Sequence, residues 1–218
     1  MSRRALVLIG SPKGLSGSNS ARYAQAIGAR LEEADWSLDW IHLHRAVSTE
    51  DGVGELLAKV SASELVLFVA PLYVDGLPAP AIRAFERIAD ARATASGTPK
   101  FAAVIHCGFV EPVQNATAIE MCRLFAAAAH LEWSGALAFG GGGIPSKRGA
   151  LALQVAGEAL AAGEPIPEEV RRRAERPVMP RWLYVLGGNQ MWRSQAKKRF
   201  GVSRKGLLAR PYEPSESR

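Results

Sequence analysis

Cysteine is scarce in this chain of 218 residues, where Cys107 and Cys122 are the only two. Two thiols do not make a disulfide framework, which points to a reducing compartment. There are only four histidines, and neither a Cys pair nor an H-E-x-x-H pattern accompanies them, so no metal centre is expected. His42 and His44 stand two apart in a strand-like run and read as polar residues of an edge strand. Long apolar runs are missing as well. Nothing approaches the ~18 consecutive apolar residues that span a bilayer, and "MSRR" leads into a strand pattern without a signal-peptide layout, so a cytoplasmic protein with no membrane span is expected. Neither G-x-x-x-x-G-K-[ST] nor G-x-G-x-x-G fits the first glycine-rich loop, which argues against a nucleoside triphosphatase and against the common dinucleotide fold.

Apolar residues make up 48% of the chain and charged ones 22%, as in globular proteins, and the length suffices for one full core with an appendage. The net charge of +6 is unevenly placed. Residues 1–170 carry 14 basic against 18 acidic side chains, whereas residues 171–218 carry 13 against 3. Such a basic tail suits a polyanion, an acidic neighbour or an anionic ligand equally well. Arg171, Arg172, Arg173, Arg193, Lys197, Lys198, Arg199, Arg204 and Lys205, interleaved with Trp182 and Trp192, leave nucleic-acid contact open beside a solvated helical face that docks by its aromatics, with recognition of a dinucleotide's phosphates or closure of a subunit interface as a third reading.

Five apolar runs read as strands: "ALVLIG" (5–10), "LDWIHL" (38–43), "ELVLFVA" (64–70), "FAAVIH" (101–106) and "WSGALAFG" (133–140). Helical spacing follows the first through Tyr23, Ala24, Ile27 and Leu31. It returns weakly over 51–60, then clearly over 79–92, 115–130 and about 149–162. This alternation predicts an α/β fold with a parallel sheet covered on both faces. "GEPIPEE" reads as a break before the basic region, giving a domain over 1–165 and an extension over 166–218. In such a sheet, ligands sit at the carboxyl ends of the strands. Four loops there are rich in Gly, Pro or aromatic residues: 10–18, "PLYVDGLPAP" (71–80), "HCGFVEPVQ" (106–114) and "GGGGIPS" (140–146). The loop after the second run lacks this character, as expected at a sheet edge.

The first loop, "GSPKGLSGSNS" (10–20), gathers backbone N–H groups, hydroxyls and a helix start around one point, which is how chains hold an anion. The same residues also make ordinary turns and caps. "PLYVDGLPAP" presents Tyr73 on a stiff, turned backbone suited to a planar heteroaromatic ligand, or else to capping the core. Gly108 permits close backbone approach, with Phe109 as a second apolar wall. Glycines 140–143 make either a plain flexible turn or a close approach to a ligand or to a partner backbone. Cys107 beside His106 lacks an orienting carboxylate and reads as a buried or ligand-flanking thiol rather than a nucleophile.

"GSPKGLSGSNS", "APLYVDGLPAPAIRAFERI", "CGFVEPVQN" and "LEWSGALAFGGGG", in this order over residues 4–145, resemble the flavodoxin-like NAD(P)H-dependent oxidoreductases that include the NADPH-dependent FMN reductases. The resemblance implies a flavodoxin-like three-layer fold, sheet order 2-1-3-4-5, and FMN at the carboxyl edge. It implies Ser11, Lys13, Ser18, Asn19 and Ser20 at the FMN phosphate. Pro71, Leu72, Tyr73 and Val74 would lie along the isoalloxazine, with Cys107, Gly108 and Phe109 flanking it. "KGLSG" between Pro12 and Ser18 departs from shorter versions of the first loop. A homodimer, NAD(P)H as co-substrate and a small electron acceptor are also implied. No catalytic side chain is expected, because the flavin carries the redox chemistry. An FMN-binding electron carrier without nicotinamide turnover, and a binding module using its basic tail on a polyanion, are the other readings.

Overall fold

Five seven- or eight-residue strands, each almost wholly apolar except the second, pair in parallel in a computed structural model that describes residues 3–13, 17–95 and 97–209. They are β1 (Arg3–Ile9), β2 (Trp36–His42), β3 (Leu65–Pro71), β4 (Lys100–His106) and β5 (Glu132–Phe139). Their order is β2-β1-β3-β4-β5, the order the resemblance implies. β2 lies at an edge, and it is the strand whose pattern mixes buried and exposed positions. His42 ends β2, while His44 belongs to the short helix α2 (Leu43–Ala46), so the two do not share a strand face.

Because strand side chains alternate, each inner strand feeds two cores. Ala5, Val7 and Ile9 of β1 meet Ala24, Ile27 and Leu31 of α1 (Asn19–Glu33) and Leu153 and Leu160 of α6 (Lys147–Ala161). Leu6 and Leu8 face the opposite layer, built by α3 (Glu50–Ala62), α4 (Ala79–Arg92) and α5 (Ala116–Ala128). Four phenylalanines lock that layer, with Phe85 stacked on Phe125 at 3.8 Å and Phe101 edge-on to both. The helices start where the chain supplies caps: Ser18, Thr49 and Ser146 each accept a first-turn N–H.

The other edge, β5, is closed by chain that follows α6. Its ladder with β4 shifts register between Phe101 and Ala103, opposite Gly135, whose φ is 99°. Ile166 N–H donates to the Ser134 carbonyl there, and α7 (Glu168–Ala174) buries Val170 and Ala174. A bulged, covered edge is protected from further pairing. The first compact unit accordingly runs Met1–Val178, past the proline break at 165–167. The second, Met179–Arg218, holds α8 (Arg181–Phe200), ended by Gly201 in the left-handed region, and α9 (Arg204–Leu208). No residue of α8 is buried. Among the described residues, no helix is long and apolar enough to cross a membrane.

Candidate functional site

The first loop is tied down at both ends. His42 Nε2–H donates to the Ser11 carbonyl at 2.7 Å, fastening the loop to the end of β2, while the buried Ser11 hydroxyl accepts the Lys13 N–H. Residues 14–16, the centre of the "KGLSG" departure, lie outside the described residues. Ser18 caps α1 by accepting the Ala21 N–H at 3.0 Å. The Asn19 amide donates to the Gly142 carbonyl at 2.9 Å. Ser20, fully buried, pairs with His106 Nε2 at 2.9 Å. The backbone N–H groups of Asn19 and Ser20 therefore head the positive end of α1 with no partner among the described residues.

His106 ends β4 beneath this loop, with Tyr23 edge-on to it at 5.3 Å and Tyr23 in turn stacked on Phe139. Burial lowers its pKa to about 4, so the ring is neutral at pH 7. Burial likewise pushes the Tyr23 hydroxyl above its ordinary range.

The loop after β3 is a tight hairpin. Leu72 N–H donates to the His106 carbonyl, and Tyr73 and Gly76 exchange both backbone hydrogen bonds at 3.0 Å. Val74 and Asp75 between them take φ values of 48° and 57°. A β-branched residue there costs about 1–2 kcal/mol, and strain of this kind concentrates at functional loops. Pro71 and Leu72 are half-buried, Tyr73 is exposed, and Val74 stands wholly in solvent at 102% exposure. In the loop after β4, Cys107 is buried, and desolvation raises its thiol pKa, which disfavours the thiolate. Gly108 has open space on its Cβ side, and Phe109 is half exposed.

The glycine loop after β5 needs its glycines for close approach. A Cβ on Gly140 would fall 2.6 Å from the Val110 carbonyl oxygen, and one on Gly143, at φ 84°, would overlap the Asn19 side chain. Gly141 and Gly142 donate to the Phe109 and Cys107 carbonyls. The backbone that Gly140 approaches is the chain's own β4 loop. This loop also walls a cavity of about 370 Å³ between α1 and α6 that includes Arg22, Tyr23, Arg30 and Leu153.

The twelve residues singled out from the sequence thus fall at the carboxyl ends of three neighbouring strands, β1, β3 and β4, with Pro71 closing β3, Asn19 and Ser20 in the first turn of α1 and the rest in the loops between. Ser18 and Asn19 spend side-chain atoms on capping and on the glycine loop, and Ser20 faces inward to His106. His42, His106 and Tyr23, which steady the loops, were not singled out. Their partners lie 31 to 116 residues away, so no local pattern marks them.

The fold is shared with solved structures of low sequence identity. An FMN-dependent NADH-azoreductase from Bacillus anthracis, in complex with FMN, has a TM-score of 0.56 at 12% identity, covering 74% of this chain and 98% of that one. A flavodoxin from Streptococcus pneumoniae has a TM-score of 0.56 at 15% identity, covering 73% and 99%. An NAD(P)H:quinone oxidoreductase from Methanothermobacter marburgensis has 0.53 at 18%, covering 73% and 96%. At these identities the likeness establishes a flavodoxin-like fold. A search of curated proteins by sequence returns no match. The family model for NADPH-dependent FMN reductase matches residues 3–130, the stretch that holds all three loops, and by that match the chain belongs to the NADPH-dependent FMN reductase family.

Proposed function

We propose that the protein holds FMN across the carboxyl ends of β1, β3 and β4 and uses it to pass reducing equivalents from NAD(P)H to a small acceptor such as a quinone or a free flavin. One observation carries this reading. The positive end of α1, with the Asn19 and Ser20 N–H groups unpartnered among the described residues, stands on the same sheet edge as the exposed apolar tips Tyr73, Val74 and Phe109. An anion site beside apolar walls fits a phosphate-bearing flavin. Ser11, Lys13, Ser18, Asn19 and Ser20 would hold the phosphate, chiefly by backbone N–H groups, since the Ser18 oxygen and the Ser20 hydroxyl already serve the fold. Pro71 to Val74 and Cys107 to Phe109 would line the ring system. Bound FMN supplies hydride chemistry at its own ring. The side chains bind, orient and exclude water, and neutral His106, engaged by Ser20, keeps a positive charge from forming beneath the loop. Apolar tips as exposed as Val74 and Val113 support assembly as a homodimer, and the absence of a disulfide framework supports a cytoplasmic setting.

The test is the visible spectrum of purified protein incubated with FMN and desalted, followed by anaerobic NADPH or NADH. Retained flavin bands that bleach with nucleotide are expected. Bands that stay oxidised would make the protein an electron carrier, and loss of flavin on desalting would overturn the site.

A further inference from the structure

Beyond the family-matched stretch, β5 is flanked by a second charged concavity. A cavity of about 480 Å³ is lined by Arg148, from the first turn of α6, and by Glu169, Arg172, Arg173 and Arg176, from α7 and its exit. Four guanidinium groups face one carboxylate, and Glu169 is already paired with Arg173. Arg172 has only Glu168, at 4.0 Å, and Arg171 holds that same carboxylate at 2.7 Å. Arg176 has no side-chain hydrogen bond or ion pair among the described residues. Arg148 is anchored by one nitrogen to the carbonyls of Arg176 and Pro177, at 3.0 and 2.6 Å, which fixes its guanidinium at the cavity wall.

Arg172 lies in the last turn of α7, a position that suits a cation, and Arg176 lies two residues past the end of that helix. The start of α6 runs against local electrostatics. Lys147 and Arg148 occupy the first turn of α6, the positive end of a fifteen-residue helix, where acidic residues are favoured and none is present. Cations converging from two elements, one of them tethered and one without an acid, form a site that a compact anion relieves. Guanidinium forks match phosphate oxygens two at a time. The excess of positive charge suits a phosphomonoester dianion, and the volume admits a nucleotide fragment.

The chain leaving the cavity runs to the glycine loop after β5. Val178, two residues beyond Arg176, packs so closely on Gly141 that a Cβ there would lie 2.6 Å from its methyl. The next glycine's carbonyl is bound by Asn19 at the head of α1.

We propose that Arg148, Arg172 and Arg176 form a phosphomonoester site that takes the 2′-phosphate of NADPH and makes the enzyme select NADPH over NADH. This rests on the reductase reading above.

FMN-loaded full-length protein is assayed with NADPH and NADH, as wild type, Arg172→Gln/Arg176→Gln and, as a control, Arg171→Gln, whose guanidinium does not line the cavity. Binding of adenosine 2′,5′-bisphosphate and of adenosine 5′-monophosphate is titrated in parallel at fixed ionic strength. Expected are a preference for NADPH of tenfold or more in the wild type and a tenfold or greater rise in KM for NADPH in the double variant. NADH kinetics stay unchanged, and the extra affinity for the bisphosphate is lost. Arg171→Gln changes neither, and Arg176→Lys recovers part of the selectivity. Equal use of both nucleotides by the wild type, with bisphosphate binding that the double variant abolishes, overturns the 2′-phosphate as the source and leaves a site for a free phosphomonoester. Bisphosphate binding no tighter than that of the monophosphate, or unchanged in the variant, overturns the site itself. Protein that retains no flavin fails the reductase reading instead, and the two titrations still judge the arginine site.

Discussion

His106 shows how one residue carries the site's dependence on pH. Its ring is buried against Tyr23 and Ser20, and its pKa falls from 6.5 to about 4 because burial penalises the charged form. The unfolded chain takes up a proton below about pH 6.5, and the native state does not until about pH 4. Stability therefore rises with pH across that window and is lost as pH falls through it. The slope approaches ~1.4 kcal/mol per pH unit, so denaturant unfolding at pH 5 should give about 2 kcal/mol less stability than at pH 7. His106→Gln keeps a polar partner for Ser20 and cannot titrate, and it should remove most of that difference. An equal pH loss in the variant would assign the effect to other groups.

At the scale of elements, the loops are held by one another more than by their own turn chemistry. The Asn19 amide reaches Gly142, and Gly142 and Gly141 donate to the β4 loop, so the anion loop, the flanking loop and the glycine loop form one hydrogen-bonded unit. Gly143→Ala puts a methyl into the Asn19 side chain at a φ of 84°, which L-residues avoid. It should destabilise the fold by about 1–3 kcal/mol and weaken FMN retention after desalting by tenfold or more, whereas Gly54→Ala, with open space around it, should do neither. Undiminished flavin retention in Gly143→Ala would show that the glycine loop does not position α1. The strands and the helices α1 and α3 to α6 were legible in the sequence, because continuous apolar runs and 3.6-residue spacing report burial directly. The loops were legible as composition but not as contacts. Nothing near Ser20 in the chain announces His106, and nothing in "GGGG" tells a turn from a close approach. The four-residue α2 and seven-residue α7 are too short for periodicity to mark, so His44 read as strand and α7 as part of a tail.

Over the whole molecule, charge and burial divide at the same place. Every residue of both hydrophobic cores lies at or before Ala174, while residues 179–218 carry nine basic against two acidic side chains. The second unit's long helix buries none of its residues, with Trp182, Leu186, Trp192 and Phe200 all largely exposed. Two adjacent glycines, Gly187 and Gly188, weaken it further, at roughly 1 kcal/mol each relative to alanine. Such a helix contributes little to the stability of the sheet domain. A chain ending at Val178 should therefore fold cooperatively, with a thermal midpoint within about 3 °C of the full protein's, and should keep its flavin bands and its nicotinamide preference, since the three site loops and the arginine cavity all precede the cut. Its retention on a heparin column should drop sharply, because charge density of one sign governs that binding. Calorimetry, the visible spectrum and column elution of the two lengths side by side decide it. Equal heparin retention would place the basic surface on the sheet domain. A midpoint lowered by about 10 °C, or lost flavin, would mean that the exposed helix is covered in solution and that the reductase domain depends on what covers it.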